Sequence, residues 1–158
     1  MATEPALAEI LPASWRDLPA VMALDKAAFE HDAWPWIDIL AALTFPETTR
    51  LKAVVEDSVV GAAFGDRRRH ENLGWIASIA VHPAFRRQGI GRKLLAATEE
   101  ALGTRCIRLT LRRSNEGARL LYEQTGYVLI DEWARYYRNG EDGLVMEKAR
   151  PVGGFRVW

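Results

Sequence analysis

The sequence has little cysteine, no long apolar run and no excess of charge of either sign. Its single cysteine, Cys106, has no second thiol with which to form a disulfide inside the chain. No segment approaches the ~20 consecutive apolar residues of a membrane-spanning helix, and 21 basic side chains balance 21 acidic ones. These absences exclude a disulfide-built scaffold and give no reason to expect a nucleic-acid partner, a membrane partner or a structural metal.

The N-terminal residues also lack the features of a targeting segment. Residues 1–15 carry Glu4, Glu9 and two prolines, with neither a basic start nor a long apolar stretch. We therefore expect a cytoplasmic protein. A chain of 158 residues is long enough to bury a core of its own, so we predict one domain over 1–149, a tail over 150–158, and a monomer or homodimer.

A strand and two helices are expected at the start of the chain. After a short apolar run at 7–11, Ser14 and Asp17 have the spacing of a capping box before a first helix. A second helix is predicted from Pro35 until Pro46 ends it, because proline is tolerated in a first turn but not inside a helix.

Strand patterns dominate the rest of the chain. Residues 50–66 read as two strands joined by a turn at Asp57-Ser58, and Asn139-Gly140 is a second turn signal, between the last two strands. The later elements are a strand, a helix, a strand, a helix and two strands, expected at 73–81, 89–102, 106–111, 115–126, 127–137 and 143–148. This order indicates a mixed α/β domain rather than a doubly wound one.

The segment "VHPAFRRQGIGRKLL" connects the strand at 73–81 to the following helix. The first N–H groups of a helix have no partner inside it and lie at the positive end of its dipole, so an anion suits this place. Gly89 and Gly91 would let backbone approach the anion, and the arginines of the segment would add charge. The spacing is neither that of a Walker loop nor that of a dinucleotide fingerprint. A helix start with exposed arginines is the structural alternative.

The surrounding residues resemble a known family. The pattern "SIAVHPAFRRQGIGRKLL" is similar to the signature segment of the GNAT superfamily of acyl-CoA-dependent N-acyltransferases, and "RRSNEGARLLYEQTGY" to the strand end and helix that follow it. The flanks "FEHDAWPW" and "YYRNGEDGLVM" resemble protein N-terminal acetyltransferases, including the bacterial ribosomal-protein alanine N-acetyltransferases. The resemblance implies a mostly antiparallel sheet of about seven strands, four helices and a splayed parallel strand pair at the cofactor site.

The resemblance also implies that acetyl-CoA is the cosubstrate. Backbone groups of the strand edge would hold its pantetheine arm, and N–H groups of the loop would take its pyrophosphate. Tyr122 matches the tyrosine that acts as general acid towards the leaving thiolate, and Asn115 matches an asparagine that reaches the cofactor. The implied cofactor-binding residues are Ile79, Ala80, Val81, Arg86, Arg87, Gln88, Gly89, Ile90, Gly91, Arg92, Asn115 and Tyr122.

The general base is where the sequence departs from the family pattern. The strand before Asn115 carries a Glu or His in the matched enzymes, and here that position is Thr110, which cannot accept a proton near neutral pH. Three possibilities stay open: another side chain substitutes, an ordered water relays the proton, or the amine loses its proton before it binds. The candidate side chains are Glu30, His31, His82 and Glu141.

In the matched family, the first helix pair and the last hairpin form the walls around the acceptor. Here these walls would carry Trp34, Trp36, Tyr136 and Tyr137, with Trp75 from the central strand. We expect Trp34, Trp75 and Tyr136 to bind the acceptor, although aromatic side chains in such positions are often core.

The sequence thus predicts an acetyl-CoA-dependent N-acetyltransferase that acts on a primary amine, with a protein N-terminus such as that of a ribosomal protein as the favoured acceptor. A small amine, such as an amino acid, polyamine or aminoglycoside, is the alternative acceptor. A protein that binds acyl-CoA as a sensor without catalysis is the alternative from another class, and the missing base is its main support.

Overall fold

The computed structural model describes residues 7–151 and has the elements in the order that the sequence predicts. Residues 152–158 of the predicted tail and residues 1–6 lie outside the described part. The strands and helices are β1 Glu9–Pro12, α1 Leu18–Phe29, α2 Trp36–Thr44, β2 Thr48–Val55, β3 Ser58–Arg68, β4 Leu73–Val81, α3 Ile90–Leu102, β5 Cys106–Arg112, α4 Glu116–Gln124, β6 Val128–Trp133 and β7 Gly143–Ala149.

The strands form a single seven-stranded sheet in the order β1-β2-β3-β4-β5-β7-β6. Each neighbouring pair is antiparallel except β4 and β5, which run parallel. Parallel neighbours need a crossover connection, and α3 supplies it between these two strands. The predicted mixed α/β fold, with a mostly antiparallel sheet and one parallel pair, is confirmed.

The apolar run in β3 reflects burial on both faces of the sheet. Ala62 and Ala63 are 2% and 0% exposed, and successive strand residues point to opposite faces. Ala62 packs in the cluster that holds the apolar sides of α1 and α2, whereas Ala63 packs with Leu94 of α3. Helices on both faces therefore fix the central strands, and β4 ends in this well-packed region.

Two helix starts and one turn differ slightly from the sequence prediction. The Asp17 carboxylate accepts the Ser14 N–H at 2.8 Å as predicted, but a turn of 3-10 helix intervenes and α1 begins at Leu18. Pro35 is the N-cap of α2, whose first residue is Trp36. The β2–β3 turn is formed by residues 56 and 57, one position earlier than predicted, because both have the positive φ that a tight two-residue hairpin needs.

The largest difference lies between the last two strands. The predicted strand over 127–137 ends at Trp133, and residues 134–142 form a loop. Arg135 has a φ of 53°, which ends the extended backbone, and its N–H donates to the Asp142 carboxylate at 3.0 Å. The N–H of Gly140 donates to the Tyr137 carbonyl at 2.9 Å and closes the turn that the sequence predicts there. The shorter strand leaves a long loop over one end of the sheet.

Candidate active site

The centre of the site is the point where β4 and β5 separate. Their parallel pairing runs from Leu73 and Cys106 to Ile76 and Leu109 and then stops, although both strands continue. At this point β4 carries a bulge opposite β3, with Ala77 as its extra residue. A bulge bends its strand and increases the local twist, so the bulge explains why the strands diverge. The splayed pair that the family resemblance implies is present.

Beyond the bulge, β4 has a free edge towards β5. Ile79, Ala80 and Val81 pair with β3 on their other side, and none of them pairs with β5. Such an edge can take an extended chain as an added strand, through main-chain hydrogen bonds. The Val81 carbonyl already accepts a hydrogen bond from Arg86 Nε at 3.2 Å. The His82 N–H donates to the Val60 carbonyl of β3 at 2.8 Å, and hydrogen-bonded and non-hydrogen-bonded residues alternate along such a pair. Ala80 therefore faces β3, and Ile79 offers its N–H and carbonyl to a pantetheine arm.

The loop after β4 presents a row of free N–H groups. Among the described residues, the N–H groups of residues 87–92 donate to no backbone carbonyl, and the first bond into α3 runs from Lys93 to Gly89 at 3.1 Å. Gly89 has a φ of 80°. A Cβ at Gly89 would meet nothing within 4 Å, and one at Gly91 would make only ordinary contacts at 3.6 and 3.7 Å. Residues 87–92, here called the cradle, have the shape and donors that a pyrophosphate needs.

The arginines in the cradle and next to it have different surroundings. Arg86 donates to the Val81 carbonyl and to the Ala28 carbonyl at 3.3 Å, so its side chain ties the loop to β4 and α1. Arg92 donates to Gln124 Oε1 at 3.0 Å and ties the loop to α4. The Arg87 side chain is exposed, as is its neighbour Gln88, while Ile90 is buried and anchors the helix start in the core.

Helix α4 brings Asn115 and Tyr122 to the same region. Asn115 is the N-cap, and its Oδ1 accepts the Ala118 N–H at 3.1 Å, which leaves its amide NH₂ able to donate. The Tyr122 ring packs against the core and lies edge-on to Tyr127 at 5.7 Å. Burial, with the nearby Tyr137 hydroxyl adding to it, raises the pKa of Tyr122 to about 12. The phenol is therefore neutral and able to donate at any physiological pH.

A groove of about 600 Å³ opens on the other side of the fork. Its base is formed by Ile76 and Ala77 of β4 and by Thr110 of β5. One wall comes from the segment between α1 and α2, and the other from the end of β6 and the loop that follows it. The residues of the two walls and of the rim are His31, Asp32, Ala33, Trp34, Pro35, Asp38, Arg68, Trp75, Trp133, Tyr136, Tyr137 and Arg138.

Aromatic side chains make up much of this groove. All three residues predicted to bind the acceptor, Trp34, Trp75 and Tyr136, line it, whereas Trp36 does not. Trp133 is a lining residue that the sequence interpretation missed; it stacks on Trp75 at 6.0 Å and its ring is tilted against that of Tyr136 at 5.2 Å. Its position as the last residue of an otherwise exposed edge strand was the available signal. The stacked rings give the groove a continuous apolar wall.

The four candidate bases separate clearly. His31 lines the groove, and Glu30, His82 and Glu141 are not among its lining residues. His82 Nδ1 accepts the Ala84 N–H at 3.1 Å, which makes it a cap of the turn before the cradle. Hydrogen bonds from Ser114 and Arg112 hold the pKa of Glu141 below its usual value, so it is a poor base.

Two carboxylates in the groove were not among the candidates. Asp32 is ion-paired with Arg112 at 2.5 Å, and Asp38, in the first turn of α2, forms no ion pair with the described residues. Asp32 lies within "FEHDAWPW" and Asp38 follows it by two residues. The acidic character of this region was the sequence signal for both. His31 and Asp38 are thus the lining side chains that could accept a proton and that form no ion pair with the described residues.

Other chemistries find no support in the described residues. No group of three or more His, Cys, Asp or Glu side chains within residues 7–151 is placed to hold a metal ion. No helix in the same range is long and apolar enough to cross a bilayer. Burial, and then Glu147, raise the pKa of the Cys106 thiol, so it is not an activated nucleophile.

The comparisons with known proteins identify the family. The model of the acetyltransferase (GNAT) family matches residues 7–127. The chain therefore belongs to this family of acyltransferase enzymes, as the sequence resemblance predicts.

One curated relative is a subunit of an N-terminal acetyltransferase. The catalytic subunit NAA10 of the N-terminal acetyltransferase A complex of Arabidopsis thaliana is 33% identical over 67% of this chain and 59% of its own length. The chain spans between 38% and 63% of the length of four of the curated relatives that it matches.

Two solved structures have the same fold. The ribosomal-protein-S18-alanine N-acetyltransferase of Escherichia coli superposes with a TM-score of 0.85 at 23% identity, over 96% of this chain and 99% of that chain. The NatC complex bound to Gag peptide and CoA superposes with a TM-score of 0.80 at 21% identity, over 91% of this chain and 99% of that chain. At these identities the two structures support the fold.

Proposed function

We propose that this protein transfers the acetyl group of acetyl-CoA to the N-terminal α-amine of a protein. The observation that carries the proposal is the arrangement at the fork of β4 and β5. The cradle and the free edge of β4 lie on one side, and an aromatic groove lies on the other. A thioester held at the fork would face an acceptor amine in the groove.

The chain's own groups suit acetyl-CoA. The N–H groups of residues 87–92 would hold the pyrophosphate, with charge from Arg87, and the free edge of β4 at Ile79 and the Val81 N–H would pair with the pantetheine arm. The Asn115 amide would reach the arm from the start of α4. A structural neighbour, the NatC complex, was solved with CoA bound, which supports CoA as the type of ligand.

In the proposed reaction the neutral amine nitrogen attacks the thioester carbon, the nitrogen releases one proton to water, the carbon–sulfur bond breaks, and the sulfur leaves as a thiolate. Tyr122 would donate a hydrogen bond to this sulfur. A phenol with a pKa of about 12 does not give its proton fully to a thiolate of ordinary pKa near 8.5. The same burial raises the thiol pKa as well, so the role that fits Tyr122 is stabilisation of the developing thiolate.

The absence of a base at Thr110 favours an α-amine as acceptor. An α-amine of pKa about 8 is about one-tenth neutral at pH 7, whereas a lysine-type amine of pKa about 10.4 is neutral in only about 1 molecule in 2,500. An α-amine therefore loses its proton to water readily before it attacks. His31 and Asp38 are available in the groove to help.

The lining of the groove also favours a peptide over a polyamine. A polycationic acceptor needs several free carboxylates, and Asp32 is already paired with Arg112, which leaves Asp38. Aromatic walls instead provide apolar area and hydroxyl groups for a short peptide. A protein that only bound acyl-CoA would have no use for this groove, which argues against the sensor alternative.

The test is release of CoA thiol from acetyl-CoA in the presence of different acceptors. We expect release with short peptides that have a free N-terminus and no release with the same peptides after N-terminal formylation. Peptides with a blocked N-terminus and an internal lysine, and a polyamine, serve as acceptor controls. Release with the polyamine or the internal lysine alone would overturn the α-amine assignment, and binding of acetyl-CoA without release to any acceptor would favour the sensor.

A further inference from the structure

The two walls of the groove come from distant parts of the chain and need a connection to stay in register. One wall follows α1, and the other follows β6. Among the described residues, no ladder of backbone hydrogen bonds joins the two walls. Among residues 7–151, Arg112, the last residue of β5, donates hydrogen bonds to both of them, and its side chain is 21% exposed.

Arg112 binds the first wall through a two-point ion pair. Its Nε donates to Asp32 Oδ2 and its Nη2 donates to Asp32 Oδ1, both at 2.5 Å. Asp32 ends the turn of 3-10 helix at Glu30–Asp32, just before Trp34. A bidentate pair fixes orientation as well as distance, so this contact sets the position of the segment that carries Trp34.

The remaining nitrogen of Arg112 binds the second wall. Its Nη1 donates to Asn139 Oδ1 at 3.0 Å and to Glu141 Oε2 at 3.2 Å. The guanidinium carbon also lies 4.2 Å from the centre of the Tyr137 ring. Three residues of the loop therefore contact one guanidinium group, and one of them, Tyr137, also lines the groove.

We propose that Arg112 is a positioning residue that holds the two walls of the acceptor groove at a fixed separation. The inference about the acceptor rests on the proposed function, because it is the bound peptide that would need the walls in place. Arginine suits the role, since its planar group has five donors and can serve two carboxylates at once, whereas lysine offers a single point charge. Without it, neither Asp32 nor Glu141 would have an ion-pair partner among the described residues.

Arg108 provides a matched control on the same strand. It too forms an ion pair across the sheet, with Glu147 of β7 at 2.7 Å, and it is not among the residues that line the groove. Both arginines point to the same face of β5, because they are four residues apart in a strand. The comparison of Arg112→Met with Arg108→Met therefore separates loss of the wall contacts from loss of any ion pair on β5.

The first measurement follows the acceptor. Arg112→Met should raise the KM for a free-N-terminus peptide by about 10-fold or more, since small displacements of a binding wall are costly. The dissociation constant for acetyl-CoA should change less than about twofold, because the cradle shares no contact with Arg112. Arg112→Lys should fold as the wild type and give an intermediate KM, and Arg108→Met should leave KM unchanged.

The second measurement does not depend on any acceptor. The loop contains two exposed trypsin sites, Arg135 and Arg138, and mass spectrometry identifies cleavage after each. Cleavage there should be at least about 10-fold faster in Arg112→Met than in Arg108→Met, because local opening governs proteolysis.

Equal cleavage in the two variants, with Arg112→Lys also equal to the wild type, would overturn the inference. An unchanged acceptor KM in Arg112→Met would do the same while leaving the proposed function intact. If the wild type acetylates no peptide, the proposed function fails, and the cleavage rates alone still decide whether Arg112 holds the walls.

Discussion

The two sides of the fork are built in different ways. The cradle is made of backbone N–H groups from one continuous segment, residues 87–92, and its shape follows from a strand that ends and a helix that begins. The groove is made of side chains from distant segments, including Trp34, Trp75 and Tyr136. A backbone site is determined locally, whereas a side-chain site exists only after the whole sheet has formed.

The difference has a consequence for how each side responds to substitution. Side chains around the cradle can change without loss of its N–H groups. It should therefore lose acetyl-CoA binding only when a substitution fills the space for the pyrophosphate or reverses the charge there. The groove depends on contacts such as those of Arg112 and Asp25, which lie behind its walls. It should therefore respond to substitutions that never touch the acceptor.

The substitution expected to have the largest effect is Gly91→Asp, which would break the cradle alone. A Cβ at Gly91 meets only ordinary contacts, and an acidic residue in the first turn of a helix is favourable, so the fold should be retained. The carboxylate would face the pyrophosphate, and repulsion of like charges at about 4 Å costs roughly 4 kcal/mol near a protein surface. Acetyl-CoA binding, measured by calorimetry, should weaken by at least about 100-fold.

Gly117→Asp is the control for this substitution. Gly117 lies in the first turn of α4, and a Cβ there meets nothing within 4 Å, so the local change is the same on another helix. It should leave acetyl-CoA binding nearly unchanged. If Gly91→Asp bound acetyl-CoA as well as Gly117→Asp does, the pyrophosphate would not lie in the cradle.

The second prediction concerns Tyr122, the proposed hydrogen-bond donor to the leaving sulfur. Tyr122→Phe should lower kcat by about 100-fold, the scale of a lost acid or hydrogen-bond donor at a leaving group, with acetyl-CoA affinity changed less than about twofold. Tyr127→Phe is the matched control, since Tyr127 packs edge-on to Tyr122 but donates to Glu99 at 2.9 Å. It should cost stability in thermal unfolding and leave kcat within about threefold. An equal loss of kcat in both variants would remove Tyr122 from the reaction.

What the sequence could predict follows the same division. The element order and the helix that begins at the cradle were accessible, because apolar periodicity and glycine placement are local signals, whereas the parallel pair came from the family resemblance alone. The bulge at Ala77, which opens the fork, left no signal in a uniformly apolar strand.

The groove could be predicted only in part. The family resemblance named Trp34, Trp75 and Tyr136, and all three line the groove. Trp133 and Asp38 escaped notice because their roles depend on how a loop and a helix are packed. Arg112 reads as one of several exposed arginines until its partners, Asp32 and Glu141, are in place.

The third prediction concerns Asp25, which supports the groove wall at Trp34. The Asp25 carboxylate is 5% exposed and accepts the Trp34 N–H at 2.6 Å. Asp25→Leu would leave that N–H without an acceptor and should lower the free energy of unfolding by about 1–3 kcal/mol in urea. Asp25→Asn keeps an acceptor of the same shape and should retain the stability and the acceptor KM of the wild type, or improve the stability.

The difference in stability between the wild type and Asp25→Asn should depend on pH in a definite direction. Burial raises the pKa of Asp25, so the stability it contributes is present below the unfolded pKa, near 3.9, and is lost as the pH rises through the folded value. Any stability advantage of Asp25→Asn over the wild type should therefore be larger at pH 7 than at pH 3.5. A larger advantage at the lower pH would mean that the carboxylate is stabilised in the fold, and that the charge itself holds the Trp34 wall.

The last and smallest expected effect is the shape of the pH profile above pH 9. The kcat/KM for a peptide should rise with deprotonation of the α-amine, near pH 8, and then stay level. Since the pKa of Tyr122 is raised to about 12, the phenol should still donate at pH 11, and the fall between pH 9.5 and 11 should be less than about twofold. A phenol with the ordinary pKa of about 10 would be about 90% ionised at pH 11 and give a roughly tenfold fall. Circular dichroism at each pH separates such a fall from unfolding. A tenfold fall with the fold intact would mean that Tyr122 is solvated in the working enzyme, and that the fork is more open to water than the buried ring in α4 implies.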